Sequence, residues 1–588
     1  MHYGFKSPVA LLACALVIAA QSTNVAAEPK ELDDKLDRPN VVILIADDMG
    51  YSDIGAFGSE IQTPNVNKLA KEGISFTNFH VGATCSPTRS ILLTGVDNHL
   101  NGLGNMHEIM ADNQFGKPGY EGHLNDSVIT LATVLKDAGY HTYMAGKWHL
   151  GATKDSIPHA KGFERSFALA ESGADNWVNQ PYGPMYERVH YFEGGNEVQL
   201  PTDNYFSSNF YTQKIIDYID ADRKDGKPFF VWMGYQAVHM PHQAPKQFID
   251  KYNGVYDGGW EKLRRARLER LKQLGIVSSD TVLDDKFEKT SFKDWQLPDW
   301  EALSPEEKRF NARRMQTYAG MVDNMDDNIG KLMAYLEKIG EADNTLIVFL
   351  SDNGTDPNML PPAPESRPWY QKHYTKTYIE DYQGDYSTMG QKGSFTDYGP
   401  GWAAAANTPH SYFKTFSTEG GLRVPFIAWF PEKIPAGRST NTFGFVNDVY
   451  PTILEMAGVN MPGKKYGGKP IHAPSGTSAW DVLTGKKDVV HPESESIGYE
   501  LAGSSAVFKG KYKLSRNPAP KGSGEWELYD ISNDPSEVRN LAKQNPELVA
   551  ELTEAYTDYE KRTKLVPVPK GYNPITQLGK NAKRGDHH

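Results

Sequence analysis

The sequence predicts an α/β fold: a large, mixed but mostly parallel sheet sandwiched by helices, with a smaller C-terminal domain containing an antiparallel sheet. Three observations predict it. Five apolar runs, each bordered by polar, chemically capable residues, recur between Asn40 and Phe430. Segments with helical spacing separate them, and strand–helix alternation of this kind implies a doubly wound sheet. The 588-residue length exceeds what one compact core usually supports, so a second, smaller unit is expected.

The elements follow in chain order. Lys6 precedes a short apolar run, "VALLACALVIAA" (Val9 to Ala20), and Val25 and Ala27 stand where small residues precede a cleavage point. Residues 1–27 therefore read as a signal peptide. The alternative, a lipoprotein signal acylated at Cys14, is opposed by an apolar run that continues well past that residue. No later stretch approaches ~20 consecutive apolar residues, so no stable membrane insertion is expected. The chain is expected to be exported, to the periplasm of a Gram-negative host or otherwise outside the cell.

"NVVILIADD" is the first strand and ends in Asp47 and Asp48. "SVITLATVLKDAGYHT" reads as a helix with a Ser at the cap that stops at Gly139, and "HTYMAGKWH" then delivers Lys147 and His149. "PFFVWMGYQAVH" delivers His239, and "TLIVFLSDN" delivers Asp352 and Asn353. "VPFIAWF", after "TEGG", completes the set. Runs this rich in Val, Ile, Leu and Phe suit strands buried on both faces, and ligands of such sheets bind beyond the carboxyl ends. Met315, Tyr318, Val322, Met325, Ile329, Leu332 and Leu336 fall on one face of a long helix ending at Gly340. Gly258 to Arg314 is dense in charge of both signs and reads as a helical insertion with a solvated face. The Tyr-rich "RPWYQKHYTKTYIEDYQGDYSTMG" reads as a long active-site loop. Punctuation changes after Gly458, placing a domain boundary near 465. Residues 28–465 then form the catalytic domain, and 466–588 a smaller α+β domain of short antiparallel strands and a helix.

A formal net charge of −12 argues against nucleic acid or an anionic membrane surface as partner. An anionic substrate would need a local positive cluster. Asp47, Asp48, Asp352 and Asn353 offer hard oxygen ligands behind two similar strands, which suits Ca²⁺ or Mg²⁺ and not zinc. Removal of the signal leaves one cysteine, Cys85, which is a buried small hydrophobe, an intermolecular link or a reactive group. Pro87 places Cys85 just before or at a helix N-terminus, an end that favours an anion, and Arg89 can point back at the same place.

"CSPTRSILLTG" resembles the signature of the type I sulfatases, with Cys85, Pro87, Arg89, Thr94 and Gly95 all in place. "GKWHLG", "VHMPH", "SDNG" and "KTFSTEGGLRVP" resemble further blocks of that family in the same order, and "LYDISNDPSEVRNLA" its C-terminal signature. The resemblance is greatest to bacterial arylsulfatases. It implies an alkaline-phosphatase-like fold and hydrolysis of a small-molecule sulfate ester to an alcohol or phenol. It also implies that Cys85 is oxidised to formylglycine by a formylglycine-generating enzyme and hydrated to a diol. Calcium, in preference to magnesium, would be held by Asp47, Asp48, Asp352 and Asn353 and would touch position 85. Asp352 would take the proton of the attacking hydroxyl, and Arg89 and Lys147 would stabilise the resulting anion. Lys147, His239 and Lys414 would hold the sulfate, His239 would protonate the leaving group, and His149 would deprotonate the second hydroxyl. A phosphate or phosphonate monoester hydrolase of the same superfamily, or an inactive binder of sulfated glycans, are the rival readings. His242 lies close enough to His239 in sequence to be mistaken for it.

Overall fold

All seven residues of the first strand, β1 (Asn40–Ala46), are buried. Val42, Leu44 and Ala46 enter one hydrophobic core, while Val41, Ile43 and Ile45 enter a second on the opposite face. That alternation is why an unbroken apolar run is needed here. The computed structural model describes residues 38–284, 297, 299–357 and 366–584. The expected signal peptide, Cys14 and residues 358–365 lie outside the described residues.

Ten further strands join β1 in one sheet. They are β2 (Ile74–His80), β3 (His141–Lys147), β4 (Arg165–Leu169), β5 (Tyr191–Glu193), β6 (Asn196–Val198), β7 (Phe229–Gly234), β8 (Thr345–Ser351), β9 (Arg423–Trp429), β10 (Arg438–Thr440) and β11 (Gly444–Phe445). The order is β10-β2-β9-β8-β1-β7-β3-β4-β5-β6, with β11 beside β2. β8, β1, β7, β3 and β4 run parallel. β9 runs antiparallel to both β8 and β2. The carboxyl ends of β1, β3, β7 and β8 therefore meet along one edge, joined by the amino end of β9.

The expected helical face from Met315 to Leu336 packs into the first core. Its helix is longer than the periodicity alone marks, Pro305–Ile339, because Ser304 and Glu307 form a capping box well upstream. The helix before β3 is a correction. It spans Leu131–Asp137 and is capped by Thr130, whose hydroxyl accepts from the Thr133 amide, while Ser127 sits in the preceding turn. The charged stretch forms a helix with the expected solvated face, at Lys262, Arg265 and Glu269, and a buried face besides. This helix, Trp260–Gln273, buries Trp260, Arg264, Arg267, Leu268 and Leu271. Arg267 can face inward because Asp53 and Glu60 meet it at 2.6 and 2.8 Å.

A hairpin, β12 (Lys465–Tyr466) and β13 (Lys469–Pro470), precedes a four-stranded antiparallel sheet. This comprises β14 (Ser496–Leu501), β15 (Ser504–Lys509), β16 (Tyr512–Arg516) and β17 (Glu527–Asp530). Val507, Leu514 and Leu528 pack beneath the helix Pro546–Thr563, while Ala506, Phe508 and Tyr529 join the second core of the large sheet. A nine-residue helix, Pro574–Ala582, follows. Among the described residues no helix is long and apolar enough to cross a membrane.

Candidate active site

Beyond the strand ends, side chains from six segments converge. The helix Cys85–Thr94 is buried along its whole length and begins at Cys85 itself. Gly95 ends it at φ +66°, and a Cβ there would stand 2.8 Å from Pro474, so the Thr-Gly pair fixes where the helix stops. Among the described residues Cys85 has no disulfide partner, and its Sγ lies 3.6 Å from Asp48 Oδ1. Arg89, one turn on, donates from Nε to Asp352 at 2.7 Å and from Nη1 to the Lys147 carbonyl at 2.9 Å. One guanidinium thus ties the ends of β3 and β8 to the cysteine helix.

Lys147 spans both oxygens of Asp47 at 2.8 and 2.7 Å, and Lys414 spans both of Asp48 at 2.8 and 2.9 Å. Lys414 precedes its strand, unlike the others, because β9 is antiparallel. The block after it explains its own glycines: a Cβ on Gly420 would sit 2.2 Å from the Tyr412 carbonyl. Asp48 and His149 both hold left-handed backbones, φ 61° and 58°, at the turns that aim them.

Burial pushes the Asp47 carboxyl up, against the pull of Lys147. Burial acts on Asp48 too, but Lys414 and His239 outweigh it and hold that carboxyl well below the usual range. His239 is the residue that meets Asp48, with Nε2 3.6 Å away. Its Nδ1 lies 2.6 Å from the Met240 carbonyl, which can only accept, so Nδ1 carries a proton and Nε2 faces the site. Burial pushes this imidazole well down. His242 is instead held edge-on between Tyr318 and Tyr398.

His149 lines a second cavity together with Glu108 and Ser86, the residue next to Cys85. Its Nε2 is 2.9 Å from Glu108 Oε1, and its buried Nδ1 has no hydrogen-bond partner. Burial first, against the pull of Glu108, lowers the ring's pKa, so Nδ1 is a ready proton acceptor. Glu108 was not legible in the sequence, since the short 3₁₀ turn that carries it, His107–Ile109, shows no periodicity or motif. Tyr182, edge-on to His239 at 5.0 Å, and Asp356, 3.4 Å from Lys414, were likewise unmarked.

The oxygen cluster fits a hard cation. Ligand atoms of Asp47, Asp48, Asp352 and Cys85 all lie within 4.8 Å of one another. Asn353 donates from Nδ2 to Asp48 at 2.6 Å, which leaves its buried Oδ1 without a partner. Each carboxylate has more lone pairs than its lysine uses, and the donors are oxygens, as calcium or magnesium requires.

This fold and this edge, with a buried oxygen cluster among fixed cations, suit a class, the hydrolases of anionic esters. The family model described as Sulfatase matches residues 39–459, and the chain belongs to that family. A second, described as N-sulphoglucosamine sulphohydrolase, C-terminal, matches residues 409–562. An arylsulfatase of Klebsiella aerogenes is 39% identical over 439 residues, 74% of this chain and 90% of that protein. A protein of Schizosaccharomyces pombe described as an uncharacterized sulfatase is 40% identical over 550 residues, 90% of this chain and 95% of the relative. The crystal structure of Ps i-CgsB superposes with a TM-score of 0.64 at 23% identity, covering 93% of this chain and 97% of that one. That likeness speaks for the fold.

Proposed function

We propose that this protein is an exported arylsulfatase that hydrolyses sulfate monoesters with formylglycine at position 85 and calcium at the oxygen cluster. One observation carries the reading: an unpaired, buried cysteine stands at a helix N-terminus among Arg89, Lys147 and Lys414. Burial pushes its thiol well up, so the sulfur is neutral and a poor nucleophile. A hydrated aldehyde at the same position supplies an oxygen nucleophile and a second hydroxyl, so sulfate can leave by C–O cleavage without a second attack at sulfur. Asp47, Asp48, Asp352 and Asn353 would hold the calcium ion, which would supply Lewis-acid charge to the site.

The chain's own residues do the rest. Lys147 and Lys414 bind sulfate oxygens in a site with little water, where fixed charges act most strongly. Arg89 and Lys147 favour loss of the nucleophilic hydroxyl's proton to Asp352. The negative charge of a bound sulfate raises the pKa of His239, so that Nε2, bare in the neutral ring, takes up a proton and passes it to the departing phenol or alcohol oxygen. His149 Nδ1, its ring oriented by Glu108, takes the proton of the second hydroxyl as the C–O bond to sulfate breaks and the aldehyde returns.

Mass spectrometry of the tryptic peptide from Glu72 to Arg89, from protein made in its own host, tests this. The expected mass shows sulfur lost and a carbonyl gained at Cys85, with calcium-dependent turnover of 4-nitrophenyl sulfate. An unmodified thiol with no turnover would sink the proposal. Faster turnover of 4-nitrophenyl phosphate would transfer it to the phosphate esters.

A further inference from the structure

We propose that the helix Pro574–Ala582 is the specificity wall of the active site, selecting sulfate esters of a single, uncharged ring. The inference rests on the sulfate-ester reading of the Cys85 site. The helix lies beyond both matched segments, which end at 459 and 562.

A cavity of about 140 Å³ opens beside Cys85, His239 and Lys414. Pro574, Ile575 and Leu578 of the helix line it, with Leu578 one turn after the other two, and Tyr182, Met185 and Met240 add further apolar lining. An apolar cavity of ~150 Å³ holds one benzene ring, so this volume takes a single ring and not two. The charge pattern narrows the ligand further. Glu108, Asp356 and Asp397 line the cavity, and Lys414 is its one lysine or arginine among the described residues. Lys414 is already shared between Asp48 and Asp356. Arg314 and His149 are likewise taken up by Asp397 and Glu108, so a second sulfate or a carboxylate on the leaving group would meet carboxylates and no uncommitted lysine or arginine of the lining.

The helix is held for this position by polar contacts. Nine residues are too few to be stable alone. Asn573 caps it, accepting from the Ile575 and Thr576 amides. Asn581 donates from Nδ2 to the carbonyls of Glu108 and Met110 at 3.1 and 3.0 Å, and Arg584 meets Asp112 at 2.6 Å. Ile575 and Leu578 are only half-buried, and although Leu578 also packs against the second core, both keep apolar surface for the cavity.

The test compares kcat/KM of the full-length enzyme and its Ile575→Ala, Leu578→Ala and Leu578→Trp variants on 4-nitrophenyl and 2-naphthyl sulfate. Ratios between variants cancel the intrinsic reactivity of the two esters. Each alanine variant is expected to raise the naphthyl-to-nitrophenyl ratio at least fivefold, and Leu578→Trp to lower it. Wild type is also expected to turn over 4-carboxyphenyl sulfate at least tenfold less well than 4-acetylphenyl sulfate. Unchanged ratios in variants that melt like wild type, or equal rates on the last pair, would overturn the proposal and leave the sulfatase reading intact. No turnover of any of these esters by formylglycine-bearing wild type would overturn that reading itself.

Discussion

Glu108 shows how a residue with no motif can govern one that has a motif. His149 stands in "GKWHLG", yet its tautomer is set by the carboxylate that accepts from Nε2 at 2.9 Å. Tyr186 also donates to Glu108, and together with His149 it overcomes the effect of burial and holds that carboxyl well below the ordinary range. Glu108→Gln keeps the shape but can present an amide N–H where the imidazole needs an acceptor. The ring is then free to flip, and Nδ1 no longer faces its proton. Steady-state kinetics on an aryl sulfate are expected to show kcat down on the order of 10²-fold, the usual scale of a lost acid–base group, with KM little changed. A rise in KM with kcat intact would place Glu108 in substrate binding instead. Lys147 and the acids were legible because each ends a strongly patterned strand, whereas Cys85 and Lys414 were legible through the sulfatase-like blocks "CSPTRSILLTG" and "KTFSTEGGLRVP". Glu108 was not, because nothing in "NMHEIM" records which distant histidine it meets.

At the scale of elements, apolar composition marked all five site-bearing strands but not their direction. β8 and β9 read alike, yet one runs against the other, and only that reversal brings Lys414, ahead of β9, to the edge where Asp352 follows β8. "TEGG" shows a similar division between what sequence displays and what packing decides. Its glycines signal a tight approach, but Glu419 proves to be the centre of a buried ion network joining β9 to the C-terminal sheet. Lys513 of β16 meets Glu419 at 2.8 Å and Glu537 at 3.0 Å, and His80 and Arg423 approach the same carboxylate at 3.0 and 3.2 Å. Lys513→Met would strand two buried carboxylates against fewer cations, a change that typically costs about 3–5 kcal/mol. Thermal denaturation should show a clearly lowered midpoint, partly restored by adding Glu537→Gln, which removes one stranded charge. A double variant no more stable than Lys513→Met would mean that the loss is one of packing.

Across the whole molecule, the C-terminal segments are fastened to the large sheet by charge as well as by the shared second core, and one fastening should be readable in pH. His491, on the approach to β14, lies 2.8 Å from Asp448 at the end of the large-sheet region and 3.0 Å from Glu495. Burial alone would lower its pKa, but these two carboxylates raise it to about 9. A group whose pKa is raised on folding stabilises the fold fully below its unfolded value, near 6.5. That contribution is lost as pH climbs through about 9. Each pH decade in the interval is worth about 1.4 kcal/mol, so the contact contributes at most about 3 kcal/mol. His491→Gln should therefore be less stable than wild type at pH 6, with the gap closing toward pH 10, when the two are compared by thermal denaturation across that range. A gap constant with pH would show that His491 acts through packing and neutral hydrogen bonds. Sequence could not foretell this tie: Asp448 and His491 are 43 positions apart and belong to no shared pattern. They meet only because β11 and the approach to β14 fold onto the same flank.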